Sequence, residues 1–125
     1  MTLNAGADYQ ACKNSANDCL TPEILQWGAQ AYYPKQPTEE ELAYISPLHR
    51  PFKTRVPLFV QAGTAEAFYN TIEEFAQEMA GVEGNEVRFH ATDFVTHNLI
   101  MAYHGVGLDA QVERVFADFS QFSEQ

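Results

Sequence analysis

The stretch that decides the fold is VPLFVQAGTAE, which runs from Val56 to Glu66. Its first half is almost continuously apolar, a pattern typical of a short strand buried on both faces, as in a parallel sheet. Pro57 fits this assignment because proline is tolerated near the start of a strand. The second half, from Gly63 onward, carries small and polar residues and indicates the turn that leaves the strand.

Regular elements alternate downstream of this strand. The spacing of apolar residues predicts a helix from about Ala67 to Ala80, which Gly81 ends. Residues 86–91 alternate between apolar and polar side chains and predict a second strand. A final amphipathic helix is predicted from about Leu108 to the end of the sequence, because apolar residues recur there at helical spacing.

The upstream part is less regular. Residues 1–20 are small and polar without a clear period, and we expect a loop. Residues 21–55 are expected to be helical and irregular, with a helix starting at Thr21-Pro22-Glu23 and ending near Tyr33. A second, short capped helix is predicted over residues 38–43. The whole chain, residues 1–125, is thus expected to form a single domain.

Helix, strand, helix, strand and helix in this order predict an α/β fold with two parallel strands and flanking helices. Two parallel strands make a poor independent sheet, because each edge exposes unpaired backbone groups. We therefore expect a partial sheet that is completed by a missing N-terminal half or by another chain. Homo-oligomerisation, or association with a different chain through the sheet edges, is the corresponding partner prediction.

The charge balance restricts the partners. The chain has 17 acidic and 7 basic residues, a formal net charge of −10, and this disfavours binding to nucleic acid or to anionic membrane surfaces. No apolar run is long enough to span a bilayer, and the N-terminus lacks the features of a signal peptide, so a cytoplasmic location is the default expectation. For Cys12 and Cys19, free thiols are favoured over a local disulfide.

Two residues that can carry chemistry follow the two strands. Glu66 comes just after the first strand and His97 a few residues after the second, and the loops at the carboxyl ends of parallel strands lie close together. A carboxylate can hold a histidine in one tautomer so that its other nitrogen acts as a general base. Asp93 is an alternative partner for His97. In the simplest non-catalytic interpretation, Glu66 is a surface carboxylate near a helix N-terminus and His97 is an ordinary loop histidine.

Other candidate sites receive less support from the sequence. His90, His97 and His104 recur every seven residues, but this spacing crosses a strand and a turn, so convergence on a metal is not expected. No cofactor site is predicted. Neither cysteine is expected to act as a nucleophile, because the surrounding polar segment offers no activating neighbour.

The motif around Glu66 resembles a known family. Residues 45–48 (Ile-Ser-Pro-Leu), followed by residues 56–66, a helix, a strand and a histidine, are similar to the hormone-sensitive-lipase group of α/β-hydrolases, fold 3, and most similar to fungal esterases of the steryl-acetyl-hydrolase kind. Residues 18–23 and 26–28 resemble the segment that precedes the acid loop in that family. The likeness spans nearly the whole chain but only about the C-terminal third of a family member. It implies that Glu66 is the acid and His97 the base of a catalytic triad.

The sequence departs from the family pattern in three places. The nucleophile motif Gly-x-Ser-x-Gly is absent, and the serines of this chain lie outside any such motif: Ser15, Ser46, Ser120 and Ser123. The His-Gly-Gly oxyanion loop is absent too. Residues 93–96 stand where family members usually carry glycine and often proline.

The resemblance therefore implies the C-terminal part of a serine carboxylic-ester hydrolase, which acts on a small apolar ester and takes its serine from residues outside this chain. The isolated chain is expected to be inactive or only weakly active, because triad members act as a unit. Two alternatives stay open: a truncated non-hydrolytic relative that serves as a binding or assembly module, and a small pathway enzyme that uses His97 for proton transfer.

Overall fold

The computed structural model describes residues 5–98, 100 and 105–124. These residues form five helices and two strands, in the following order: α1 (Ala5–Gln10), α2 (Pro22–Tyr32), α3 (Glu39–Ile45), β1 (Leu58–Gly63), α4 (Tyr69–Ala80), β2 (Val87–Thr92) and α5 (Asp109–Ser123). The alternation of helices and strands downstream of residue 56 confirms the prediction of an α/β fold. The bounds of the predicted elements differ from the observed ones by no more than two residues, as is usual for element ends.

The sheet consists of β1 and β2, which run parallel in a register that pairs Leu58 with Val87 and Gly63 with Thr92. Both strands therefore end at the same edge of the sheet. Helices cover its two faces, since Phe59 contacts α5 while Phe89, which points the other way, contacts Tyr69 of α4. The crossover through α4 supplies the connection that a parallel pair requires.

A small apolar core lies beneath α5. Val112 and Val115 of this helix pack with Val95, which follows β2, and all three are buried. Phe59 and Leu108 pack against this cluster from the sheet and from the start of the helix. The loop that leads to His97 is thus fixed to the core through Val95.

Part of the N-terminal segment that was predicted as loop is helical. Helix α1 is held by Tyr9, which is 1% exposed, and whose hydroxyl donates to the Leu20 carbonyl at 3.0 Å. The Tyr9 ring also contacts Phe68 edge-on, with centroids 5.5 Å apart. A six-residue helix gives too little periodicity to be detected and depends on such tertiary contacts for its stability.

Helices α2 and α3 begin at the predicted caps. The Thr21 side chain accepts a hydrogen bond from Ile24, and Thr38 forms a capping box with Glu41. No residue of either helix is buried within the described part of the chain, and Trp27 on α2 is 73% exposed. These two helices therefore present apolar surface to solvent.

Within the ranges that the structure describes, none of the helices has both the length and the apolar character needed to cross a bilayer.

Candidate acid–base site at the strand ends

The turn that leaves β1 holds the Glu66 side chain inside the protein. The Gly63 amide donates to Glu66 Oε2 at 3.0 Å, and the Glu66 amide donates back to the Gly63 carbonyl at 3.0 Å. Glu66 is 4% exposed. It is therefore not the surface carboxylate of the simplest interpretation, but a buried group with one oxygen fixed by the backbone.

Position 63 requires glycine because the backbone at Val95 passes very close to it. A Cβ atom at this position would lie 2.1 Å from the Val95 carbonyl oxygen, a separation that no side chain tolerates. The absence of a side chain thus lets the segment after β2 cross the end of β1.

Backbone hydrogen bonds connect the two strand-end loops. Thr64 and Ala65 donate to the carbonyls of Thr92 and Val95 at 2.9 and 3.0 Å, and the Phe94 amide donates to Thr64 Oγ1 at 2.9 Å. Phe94 adopts a φ of 61° within this turn. The loop from β2 is consequently folded back over the loop from β1, and His97 is carried toward Glu66.

The structure brings Glu66 and His97 together, as their positions in the sequence predict. Glu66 Oε1 and His97 Nδ1 lie 3.7 Å apart, and within the described part of the chain these two buried atoms have no hydrogen-bond partner. Hydrogen bonds between nitrogen and oxygen are usually 2.7–3.2 Å long, so a movement of less than 1 Å would form one. The His97 side chain is 28% exposed, while that of Glu66 is 5% exposed, so the imidazole is the member of the pair that solvent reaches.

The alternative partner Asp93 is exposed, and no ion pair joins it to His97 among the residues that the structure describes. The carboxylate within 4.0 Å of the imidazole is that of Glu66.

Asp18 is a part of the site that sequence reasoning did not find. Its carboxylate accepts hydrogen bonds from three backbone amides: Cys19 at 2.8 Å, Ala67 at 2.8 Å and His97 at 3.2 Å. Burial raises the pKa of this carboxyl, but the three amide donors and the nearby imidazole outweigh it, and the net pKa lies below the ordinary value. Asp18 therefore stays ionised and connects the two loops.

A second side chain from the same segment supports the acid loop. Asn14 donates through Nδ2 to the carbonyls of Thr64 and Glu66 at 3.1 and 3.2 Å. No periodic pattern marked Asn14 or Asp18, because both lie in an aperiodic polar segment whose position depends on tertiary contacts.

Neither cysteine is activated. Desolvation and the Asp18 charge raise the pKa of the Cys19 thiol, and desolvation together with Asp8 raises that of Cys12, so both thiols stay protonated at neutral pH. Both are free.

Among the residues that the structure describes, His90 and His97 do not belong to any group of three potential metal ligands. His90 bonds through Nδ1 to Asp118 at 2.8 Å, and His104 lies outside the described residues. A different group, His49 with Glu74 and Glu78, brings three potential ligand atoms within 4.8 Å of one another. In this structure His49 Nδ1 forms ion pairs with Glu78 at 2.8 Å and Glu74 at 3.8 Å, and its hydrogen bond to Glu78 raises the pKa of the imidazole.

Comparisons of this chain with protein-family models, with curated proteins and with solved structures found no match. The resemblance to α/β-hydrolases therefore stands on the sequence motifs alone.

Proposed function

We propose that this chain is the C-terminal part of a serine carboxylic-ester hydrolase with a partial α/β-hydrolase fold. In this proposal Glu66 orients the imidazole of His97, and His97 acts as the general base toward a serine from residues outside this chain. The substrate would be a small ester with an apolar alcohol or acyl group.

One observation carries the proposal: Glu66 Oε1 and His97 Nδ1 face each other at 3.7 Å, buried and without a hydrogen-bond partner in the described part. Leaving two buried polar atoms without a hydrogen bond costs stability, and a catalytic role is one explanation for such a cost. An acid on Nδ1 would favour the tautomer with a free lone pair on Nε2, which is the atom that takes a proton from the serine hydroxyl.

Open surfaces support the idea that the fold is completed by further residues. The Leu58 amide donates to Glu86, just before β2, and the Thr64 amide donates to Thr92 at its end, so the backbone groups of Phe59 and Gln61 point to the opposite edge of β1. That edge can accept another strand, as a larger α/β-hydrolase sheet would require. The exposed apolar side chains of α2, Ile24 and Trp27, would be covered by the same missing portion.

The coding sequence upstream of Met1 tests the proposal. We expect an open reading frame that encodes Gly-x-Ser-x-Gly in frame with this chain, together with a weak rate of ester hydrolysis for the isolated 125 residues. A chain that hydrolyses simple esters at the rate of a complete serine esterase, without any upstream segment, would contradict it.

A second candidate function is favoured by the exposed apolar surface. Apolar side chains that include Tyr44, Phe52 and Phe75 line a groove beside α3 and α4. A truncated, non-hydrolytic relative could use this groove and the strand edges to form a homo-oligomer or to dock on another chain. Sedimentation of the isolated chain tests this: a stable dimer without esterase activity would favour it, whereas a well-folded monomer at high concentration would count against it.

The third alternative, a small enzyme that uses His97 for proton transfer, requires no added segment. If a His97→Ala variant kept the full catalytic activity of the wild-type chain, this alternative would be wrong.

A further inference from the structure

The carboxylate of Asp18 holds together the two loops that carry the acid and the base. It reaches Ala67, 49 residues away in sequence, and His97, 79 residues away. One of its oxygens accepts from Ala67 and the other from His97, so the residue after Glu66 and the backbone of His97 are bound to a single side chain.

We infer that Asp18 is a positioning residue for the Glu66–His97 pair, fixing the separation between the carboxylate and the imidazole without contacting a substrate. This inference rests on the acid–base role proposed above. Asp18 would thus give a role to a segment that lies outside the strands and helices.

The type of side chain fits this task. Both carboxylate oxygens of Asp18 accept, and the Cys19 amide donates to the same oxygen as His97. Hydrogen bonds to an ionised acceptor are stronger than bonds between neutral groups, so the arrangement is stiff. An asparagine has a similar shape but carries one accepting oxygen and one donating NH₂ group, so it cannot accept on both sides.

The geometry of the pair makes such stiffness necessary. Glu66 is already fixed through Oε2 to the Gly63 amide, and Asn14 donates to the carbonyls of Thr64 and Glu66 in the same turn. The position of His97 relative to this turn then decides whether Nδ1 faces Oε1. A catalytic pair has to be held within about 0.5 Å of its working geometry, and the bond from Asp18 to the His97 amide supplies that restraint.

Asp18→Asn tests the inference, with Asp8→Asn as the matched control, since Asp8 is an exposed aspartate on α1 and the two changes alter the charge equally. The measurement is the ¹⁵N NMR spectrum of the His97 ring in the folded chain, at a pH where the imidazole is neutral. In the wild-type protein and in Asp8→Asn we expect the Nδ1–H tautomer to predominate. In Asp18→Asn we expect a shift toward the Nε2–H tautomer, with the ring of His90 unchanged.

A merely structural role would lower the thermal stability of Asp18→Asn but leave the His97 ring of the folded molecules as in the wild type. That result, with the Cys19 and Ala67 amide signals displaced, would overturn the inference. If Asp18→Asn does not fold, Asp18→Glu replaces it, because it keeps the charge and lengthens the side chain. Its His97 tautomer ratio should then lie between those of the wild type and Glu66→Gln, and a wild-type ratio would again overturn the inference.

The Glu66→Gln variant distinguishes a failure of this inference from a failure of the proposed function. If Glu66→Gln leaves the His97 nitrogen signals unchanged, the acid–base pair itself is absent and the proposed function fails. If Glu66→Gln changes these signals and Asp18→Asn does not, only the role of Asp18 is wrong.

Discussion

Two histidine–carboxylate pairs lie on this small sheet, and they differ in almost every respect. His90 on β2 bonds to Asp118 on α5 at 2.8 Å, and the other oxygen of Asp118 binds Arg88 at 2.6 Å. His97 Nδ1 lies 3.7 Å from Glu66 Oε1, and within the described part of the chain these two atoms have no hydrogen-bond partner. The first pair joins two regular elements, whereas the second joins two loops at the ends of the strands.

The difference predicts a stabilising role for the first pair and agrees with the acid–base role proposed for the second. The bonds of Asp118 to Arg88 and His90, here called the Asp118 network, hold α5 against β2. The Arg88 guanidinium also lies 5.8 Å from the Phe122 ring centroid. The Glu66–His97 pair leaves a buried carboxylate oxygen and a ring nitrogen unsatisfied, which does not favour folding. We expect changes to the first pair to alter stability, and changes to the second to alter chemistry.

The largest effect on stability is expected from Gly63→Ala, which alters the backbone that holds Glu66 close to His97. The added Cβ would collide with the Val95 carbonyl, and forcing the loops apart should lower the free energy of unfolding by about 3 kcal/mol. Urea denaturation measures this. Gly28→Ala on α2 is the control, since among the described residues nothing beyond its chain neighbours and the backbone of its own helix lies within 4 Å of the added Cβ, and it should stabilise the helix by up to about 1 kcal/mol. Equal stabilities for the two variants would contradict the close approach at Gly63.

Asp118→Ala removes the stabilising network. Arg88 and His90 lose their common acceptor, and the free energy of unfolding should fall by about 2 kcal/mol. Glu113→Ala on the same helix is the control, because this glutamate is exposed, and a change of no more than about 0.5 kcal/mol is expected. A loss no larger than that of the control would show that the ion pairs contribute nothing to stability.

The free energy of unfolding at low pH should also depend on the Asp118 network. The hydrogen bond from His90 lowers the pKa of Asp118, and Arg88 adds to this effect, although partial burial opposes it. A carboxyl with a lowered folded-state pKa contributes stability above its unfolded value of about 3.9 and loses that contribution as the pH falls through the folded-state pKa. Wild-type stability should therefore fall more steeply in this acidic range than that of Asp118→Ala, as followed by denaturation at a series of pH values. Parallel curves would exclude a role for Asp118 in this loss.

Glu66→Gln should have the smallest effect on stability, although Glu66 is more buried than Asp118. Glutamine keeps an oxygen for the Gly63 amide, and its NH₂ group can donate to His97 Nδ1, so the free energy of unfolding should change by no more than about 1 kcal/mol. The comparison is with Asp118→Asn under the same denaturation conditions. A larger loss for Glu66→Gln than for Asp118→Asn would reverse the roles assigned to the two pairs.

The strands, most helices and the meeting of Glu66 with His97 could be predicted because they depend on local patterns. The apolar run from Leu58, the helical spacing before Gly81 and the rule that parallel strands end at one edge are all visible in one sequence. The contacts of Asp18 and Asn14 could not be predicted, since they join residues about 50 or more positions apart, from a segment without periodicity. The Asp118 network depends on how α5 packs on β2, which likewise no local pattern specifies.

Ester hydrolysis by this chain together with the serine-bearing segment that the proposal requires tests the central claim most directly, with His97→Ala compared with His90→Gln. We predict that His97→Ala lowers kcat by about a thousandfold or more, because a triad without its base loses most of its activity. His90→Gln should retain a kcat close to that of the wild type, since His90 belongs to the stabilising pair. Full activity in a folded His97→Ala variant would contradict the account.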